Sequence, residues 1–542
     1  MNNSERQPST WAPLRIATFR ALWLAALVSN IGTWMQTVGA QWLLVDRPHA
    51  STLVALVQTA NALPYLLFGL IGGVLADTLD RRRLLIAVQT ALVAVGVGLA
   101  ALTFAHHMSP ALLLLFTFTL GSGAVLATPA AQALLPDLVP RSQLPSASAL
   151  NAISINLARA IGPAVAGVLI AAAGVGAVFA VNAATSLAYG LVILFWRPAP
   201  GTLDRPEPFV AALRAGGRYV RHAPVVKRVM LRSGLFLVPA SSLWALLPVI
   251  AADRLALSSQ GYGLLLAALG LGAIAGAVVL PVVRARLSSN AMMTLAGCMY
   301  TIAIAAMAVL RNVGPVLVLL VFAGTAWVIV LSNVNAALQV FLPAWVRGRS
   351  LSIYQMVLFG SQAVGALLWG LVAGAVGLLH AMLIAAAAAA VSTATIRLWP
   401  FIDTAAMDRA PAVSWPDAQF DTGVDPSGRE VLVSVTYRIP QQREPAFLEA
   451  MTHLRLSRMR TGAIRWGLYR HGEVGNSFTE FFTVASWEEH QRQHNERLTG
   501  ADVEIQNRAS AFSDLPPTVT HMISADQQHS IVGNEPGGNP PL

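Results

Sequence analysis

Residues 72–85 read GGVLADTLDRRRLL, with Gly73 second and Asp77 sixth. An apolar run ends in two acids, Asp77 and Asp80, and three arginines, Arg81, Arg82 and Arg83. Alone, it is a charged helix end. A second copy changes that reading. GAVVLPVVRARL begins at Gly276, and its Arg284, Arg286 and Leu287 take the places of Arg81, Arg83 and Leu84. Leu280 stands where Asp77 would be. Two further pairs follow in the same order. QALLPDLVPR from Gln132 is echoed by QVFLPAWVRGR from Gln339, and GPAVAGVLIAAAG from Gly162 by GALLWGLVAGAVG from Gly365. All three copies lie a little over two hundred residues apart. One match arises easily by chance; three in order at similar offsets mark a duplicated half.

The composition supplies the setting. Of 542 residues, 55% are hydrophobic and 11% charged, against about a quarter charged in soluble domains. A membrane-crossing helix needs roughly 20 mostly apolar residues. Twelve such stretches are expected, near 21–45, 52–76, 84–105, 109–131, 149–173, 175–196, 229–252, 261–283, 291–310, 313–335, 351–376 and 378–400. The expected fold is therefore an all-α polytopic membrane protein of two six-helix halves in parallel orientation, the layout of a transporter with a midplane site. The single cysteine, Cys298, excludes a disulfide framework and a cysteine-based metal site. No phosphate-binding G-x-x-x-x-G-K-[ST] loop occurs, which argues against ATP as the energy source. The net charge of +10 is explained by topology rather than nucleic acid. Loops after even-numbered spans hold Arg81, Arg82, Arg83, Arg141, Arg284, Arg286, Arg347 and Arg349, whereas those after odd-numbered spans hold Arg47, Arg254 and Arg311. The positive-inside rule then puts the even-numbered loops and both termini in the cytoplasm. The expected order is a cytosolic lead-in (1–20), a first half (21–196), a basic central loop (197–228), a second half (229–402), a linker (403–427), a soluble domain (428–524) and a disordered tail (525–542).

With these residues in view, the first 400 positions resemble the major facilitator superfamily. GVLADTLDRRR is similar to its loop 2–3 motif, with Gly73, Leu75, Ala76, Asp77, Arg81 and Arg82 matching; Thr78 and Asp80 depart from it. AIGPAVAG is similar to the motif of drug and proton antiporters, through Gly162, Pro163 and Gly167. The stretch from Pro129 to Gly167 and the soluble C-terminal segment resemble the enterobactin-exporter-like, transmembrane secretion effector branch. The resemblance implies export of siderophore- or drug-like molecules across a bacterial inner membrane by alternating access, with proton-coupled antiport. It implies no enzyme activity, no cofactor and no metal.

The residues suggest roles. Gly73 lets a neighbouring helix approach closely. Asp77 can stabilise the positive end of another helix, and the resemblance names the eleventh span as that partner, making a cytoplasmic latch. Arg81 and Arg82 are expected to pair with Asp77 or with anionic lipid. Gly162, Pro163 and Gly167 read as a close-packed, bent segment between the halves. Arg159 is a charge well inside a span, a position that usually marks function. Asn30, Thr33, Thr37 and Gln41 share one helix face; with Gln58, Asn61, Arg159, Asn333 and Gln355 they are the expected lining of a polar cavity. Ser241, Ser242 and Gln362 are weaker candidates. Trp34, Trp244 and Trp327 would add aromatic surface. The competing explanation for the polar set is helix–helix hydrogen bonding in lipid.

Beyond the linker the pattern becomes that of a soluble domain. VLVSVTYRIP, AIRWGLYRHG, SFTEFFTVASW and residues near 517–523 read as strands, and EPAFLEAMTHLRLSRMR as a helix burying Phe447, Met451, Leu454 and Met459. Ser486 and Glu489 open a second helix as a capping box. The order β-α-β-β-α-β predicts a ferredoxin-like unit, a fold that self-associates through its sheet. A second hypothesis is a membrane-tethered sensor, or a transporter whose C-terminal domain binds a ligand or acts as a monooxygenase with His453, His490, His494 and Trp487.

Overall fold

The structure, a computed structural model, describes residues 11–196, 209–402, 407–408, 410, 412 and 429–525. The expected linker and tail, Arg197, Arg205, and the side chains of Asp77 and Arg214 lie largely or wholly outside that set. Two compact units emerge.

The first unit draws on Met1–Glu207, Arg228–Ala337 and Ser352–Phe401 and is helical where described. Its helices are α1 (Ala17–Trp42), α2 (Ala50–Thr78), α3 (Arg81–Phe104), α4 (Pro110–Ala133) and α5 (Leu144–Phe195). A further helix, α6 (Phe209–His222), is counted with the second unit. Next come α7 (Pro224–Val249), α8 (Ser259–Arg286), α9 (Ser289–Val309), α10 (Val313–Phe341), α11 (Ala344–Val376) and α12 (Leu378–Ala394). Among the described residues, ten segments are long and apolar enough to cross a membrane, fewer than the twelve expected from sequence. Two causes account for the difference. The α5 helix is one 52-residue run, yet it breaks at Gly174, whose φ is +79°. The α1 helix, with 26 residues, is not among the ten because polar residues dilute its apolar stretch. The break has an exact repeat partner: Gly377, between α11 and α12, has φ +83°. Among the described glycines only these two have φ in the left-handed range, and both end the repeated stretch that begins GPAVAG in one copy and GALLWG in the other. A left-handed turn there is open to glycine and costly to other residues.

The halves pack as a pseudo-symmetric pair. In the first half, a Cβ on Gly162 would lie 2.7 Å from Trp34 of α1, and one on Gly167 only 2.6 Å from the Ser259 carbonyl of α8. In the second half, a Cβ on Gly365 would lie 2.1 Å from Ser241 of α7, and one on Gly370 2.4 Å from Ala55 of α2. Each duplicated helix thus leans on the first helix of its own half and crosses to the second helix of the other. Small residues permit such contact where lipid gives helices no hydrophobic incentive to associate. Hydrogen bonds pin both crossings: Ser259 Oγ donates to the Gly167 carbonyl (3.1 Å) and Thr52 Oγ1 to that of Gly370 (3.1 Å).

The second unit draws on Pro208–Lys227, Leu338–Leu351 and Ile402–Leu542. Its strands β1 (Val431–Arg438), β2 (Arg465–Arg470), β3 (Ser477–Val484) and β4 (Thr518–Ile523) form one antiparallel sheet in the order β2-β3-β1-β4. Helices α13 (Glu444–Thr461), α14 (Trp487–Arg492) and α15 (Gly500–Ser510) accompany it. Alternate residues of β1, from Val431 to Tyr437, are buried with Phe447, Met451, Leu454, Phe478 and Phe482. Two features depart from the sequence reading. The basic central loop contains α6, and α15 is an additional helix. A capping box does occur, but at Thr499 and Asp502. Ser486 caps α14 through the Glu489 N–H (3.2 Å), while the Glu489 carboxylate turns to Arg497 and Arg218.

Candidate functional site

The central helices bring Arg159 and the three tryptophans together. Arg159 lies about 22 Å along α5 from its first residue at 1.5 Å per residue. Its guanidinium carbon is 5.5 Å from the Trp34 ring centroid. Trp34 and Trp244 are 6.1 Å apart, and Trp244 and Trp327 5.6 Å. The row crosses from α1 to α7 and α10, that is, from one half to the other. Trp34, Trp244 and Arg159 are half-buried, whereas Trp327 is buried among Phe236 and Tyr300. The close approach of α5 at Gly162 fixes the backbone of Trp34. Arg159 Nε is buried with no hydrogen-bond partner, and no ion pair among the described residues includes Arg159. A cation–π contact supplies about 0.5–2 kcal/mol, depending on exposure; a carboxylate partner is missing.

The other expected cavity residues divide. Asn30, Gln58 and Asn61 are half-buried on α1 and α2, and Gln355 is exposed on α11. Thr33 and Thr37 return their hydroxyls to their own helix, at the Ser29 and Thr33 carbonyls. Gln41 and Asn333 are structural instead. Gln41 Oε1 accepts from the Tyr262 hydroxyl at 2.7 Å, and Asn333 Nδ2 donates to the Ser289 carbonyl at 3.2 Å. For these two, helix–helix bonding is the observed use. Ser241 and Ser242 likewise bond within α7. A buried pair that sequence reading missed is Asn182, which donates to Gln36 at 2.5 Å. Arg232 of α7 is another; its nitrogens donate to Thr395 Oγ1 (2.8 Å) and the Ser392 carbonyl (3.3 Å) at the end of α12.

Of the opening motif, the side chain of Asp77, and with it the expected latch, lies outside the described residues. Nothing among the described residues lies within 4 Å of a Cβ placed on Gly73, so no neighbour approaches it here. One turn earlier α2 meets α11, at Gly69 against Met356 and Tyr65 stacked on Phe359. Arg81 donates to the Ala133 carbonyl (3.0 Å) and faces Asp137 (3.7 Å). Arg82 donates to the Ile193 and Leu194 carbonyls (3.3 and 2.6 Å). Both guanidiniums therefore cap helix C-termini, where unpaired carbonyls carry negative charge. Asp80, a departure from the family motif, is the N-cap of α3 and accepts from the Arg83 N–H at 2.7 Å.

In the second unit, Trp487, His490, His494 and His521 cluster. His490 Nε2 and His521 Nε2 are 3.1 Å apart, and the His490 and His494 rings 4.4 Å. Burial first, then its histidine neighbours, pushes His490 down to about 2; burial, then Arg458, pushes His494 down to about 3; burial lowers His521. These rings are neutral at physiological pH. His453 is exposed elsewhere on α13. No metal-holding group of three ligands occurs among the described residues. Below the histidines, Glu480 is fully buried and accepts from Tyr437 (3.0 Å), Arg458 (3.2 Å) and Trp466 (3.0 Å). On the surface of α14, Glu489 grips Arg497 through both oxygens (2.5 and 2.9 Å) and meets Arg218 of α6 at 3.4 Å. The Arg497 guanidinium sits 4.7 Å over Trp345 at the start of α11, and Tyr219 of α6 meets the same indole edge-on at 5.7 Å.

Comparison with known proteins bears on what this arrangement is for. Residues 8–529 match the profile of a family described as transmembrane secretion effector. The enterobactin exporter EntS of Shigella boydii serotype 4 (strain Sb227) is 30% identical over 263 residues, 48% of this chain and 62% of the exporter. The staphyloferrin A transporter of Staphylococcus aureus (strain NCTC 8325 / PS 47) is 26% identical over 259 residues, 46% of this chain and 64% of the transporter. The chain thus spans somewhat under two thirds of these relatives' length. The relatives are transporters, in keeping with a chain that is not an enzyme. Among solved structures, a mutant of the nucleoside transporter NupG superposes with a TM-score of 0.58 at 12% identity, covering 71% of this chain and all of that one. A bacterial homologue of the human lysosomal transporter Spinster superposes at 0.57 with 16% identity, covering 71% and 97%.

Proposed function

Because the chain belongs to the transmembrane secretion effector family of the major facilitator superfamily, we propose that it exports small molecules, siderophores above all, across a bacterial inner membrane by alternating access. The observation that carries this reading is the pseudo-symmetric crossing of α5 with α8 and of α2 with α11 around the Arg159–Trp34–Trp244 row. Two such crossings give the halves a pair of hinges flanking a central site. Two relatives bear the names of siderophore exporters or transporters, which supports that substrate class.

The finer proposals follow from the same features. The count is twelve crossings, with α5 counted as two arms about Gly174 and α1 included. The arginine-bearing loops and both termini face the cytoplasm. In that orientation the α2–α11 and α5–α8 contacts lie toward the outside, the open space at Gly73 lies inside, and the state described is inward-open. Asp77 closes the inner side in the opposite state. Proton antiport is the coupling that family resemblance implies. Against it, every Asp, Glu and His in the described membrane helices and their connections sits in a connection or near a helix end. The C-terminal domain takes the ferredoxin-like arrangement, consistent with its β2-β3-β1-β4 sheet, and acts as a regulatory or self-associating module. The sensor alternative predicts ligand binding without transport.

The test compares small molecules released by a deletion strain complemented with the wild-type protein or with Asp77→Asn. Wild-type complementation restores one or more exported compounds; Asp77→Asn reaches the membrane at equal level and restores none. Identical release profiles with and without the wild-type protein would refute export.

A further inference from the structure

We propose that Arg159 binds the negative charge of an organic anion, and that the membrane potential, not a titrating side chain, drives the anion outward. The proposal rests on the export reading above and adds the charge of the cargo and its energy source.

The first observation is the state of Arg159. A charge deep in a membrane helix is costly, and structures normally neutralise it. This protein does so in part elsewhere: Arg232, also on a membrane helix, leaves its Nε buried without a hydrogen-bond partner but has both terminal nitrogens bonded at the end of α12. Arg159 receives no comparable treatment. It makes no hydrogen bond and no ion pair among the described residues, its Nε is buried, and its only recorded partner is the face of Trp34. The residue as a whole is half-buried rather than fully buried. Trp34 and Trp244, also half-buried and from opposite halves, line the same place. A cation with five donors and no acceptor, walled by indole faces, suits a carboxylate, sulfonate or phenolate on an apolar body.

The second observation is independent. Proton antiport needs a group that titrates while facing alternate sides. Asp46, His49 and Asp253 gather at one end of the bundle, in a cavity of about 490 Å³. Asp80 and Asp137 lie at the other end, one capping α3 and one facing Arg81. Between the two ends, the described helices carry no acid and no histidine. An anion needs no such group. Each net negative charge leaving a cell is favoured by about fiftyfold in concentration ratio per 100 mV of inside-negative potential. Arg159 then offsets the cargo's charge in transit while the field acts on the cargo.

The full chain would be reconstituted in phosphatidylethanolamine/phosphatidylglycerol vesicles loaded with 1-naphthalenesulfonate, a permanently charged probe, or with uncharged 1-naphthalenemethanol. Binding would be measured by calorimetry in nanodiscs. An inside-negative potassium–valinomycin potential is expected to speed sulfonate efflux at least tenfold, while a pH gradient at zero potential leaves it unchanged. Arg159→Gln, monodisperse on size exclusion, is expected to weaken sulfonate binding more than tenfold, Arg159→Lys to recover part of it, and the alcohol to show neither effect. Sulfonate binding that is absent or unchanged in Arg159→Gln, or efflux that follows the pH gradient and ignores the potential, overturns the proposal. Binding that depends on Arg159 with no efflux under either gradient overturns the export reading and the driving force, and leaves the anion site standing.

Discussion

Adding a side chain at Gly167 and at Gly73 should push the protein in opposite directions. At Gly167 the new Cβ would sit 2.6 Å from the Ser259 carbonyl oxygen and 3.2 Å from the Gln260 Cα. Both are backbone atoms of α8, so no side chain can swing aside. Ordinary contact begins near 3.4 Å, so α5 and α8 must separate by about 0.8 Å at this crossing. That also stretches the Ser259–Gly167 hydrogen bond, now 3.1 Å. Overpacking of this kind costs about 1–3 kcal/mol. If the crossing exists only in the state described, that cost falls on one state, and Gly167→Ala shifts the population by roughly 5- to 150-fold toward the other. At Gly73 no described atom lies within 4 Å of an added Cβ, so Gly73→Val meets no described neighbour at that atom in the present state. It penalises whichever state brings a helix against Gly73. The assay is maleimide labelling of single cysteines placed at each end of α2 and α11, in a background with Cys298 replaced. Gly167→Ala should raise labelling at the end near Thr52 and lower it near Gly73; Gly73→Val should do the reverse. Equal labelling of both variants and wild type, with protein correctly inserted, would refute the idea that these crossings open and close.

Three further expectations concern the C-terminal domain. His490 and His494 are neutral in the folded state, with pKa values of about 2 and 3, whereas unfolded histidine titrates near 6.5. The unfolded chain therefore binds more protons below pH 6.5, and stability present above that pH is lost as pH falls toward 3. For two histidines the loss is about 4 kcal/mol at pH 5, seen as faster proteolysis of the tail in the full-length protein; His490→Gln/His494→Gln should flatten the pH profile. Glu480→Ala removes the carboxylate that faces the buried Arg458 and should destabilise the domain by about 3–5 kcal/mol, read from the same proteolysis at pH 7.5. Glu489→Gln weakens the grip on Arg218 and Arg497 and should expose the α6 segment to trypsin several-fold faster, with the domain core still protected.

Some of this was legible in the residues. Gly174 and Gly377 end copies of one repeat, and the same backbone conformation recurs at both. The alternation of VLVSVTYR gave β1, because burial on one face of a sheet imposes period two. What escaped was contact across long sequence distances. Gln41 looked like cavity lining because its helix face is polar, but Tyr262, 221 positions away, uses it as an acceptor. Arg81 was expected to meet Asp77 or anionic lipid; the fold adds contacts from far along the chain, Asp137 and the Ala133 carbonyl. Helix α15 buries Ala501 and Ala509, side chains too small to raise an apolar periodic signal. No sequence signal marked Arg458 and Glu480 as buried, and their pairing with each other and with Tyr437, Trp466 and Gln506 makes that burial tolerable. The Arg159–tryptophan row lay between: each member was named in sequence, but nothing there joined residues of four helices into one place.

The second unit gathers Pro208–Lys227, Leu338–Leu351 and Ile402–Leu542, and this imposes a timetable on biogenesis. Arg218 and Tyr219 leave the ribosome early, Trp345 later, and Glu489 and Arg497 near the end. At 5–20 residues per second, the α6 segment waits roughly 15 to 60 s for the partner that will cover it. During that interval a basic amphipathic helix and a bare indole are available to the membrane surface, to chaperones or to proteases. Completion of the C-terminal domain withdraws them. A nascent chain whose C-terminal domain fails to fold would keep them on display.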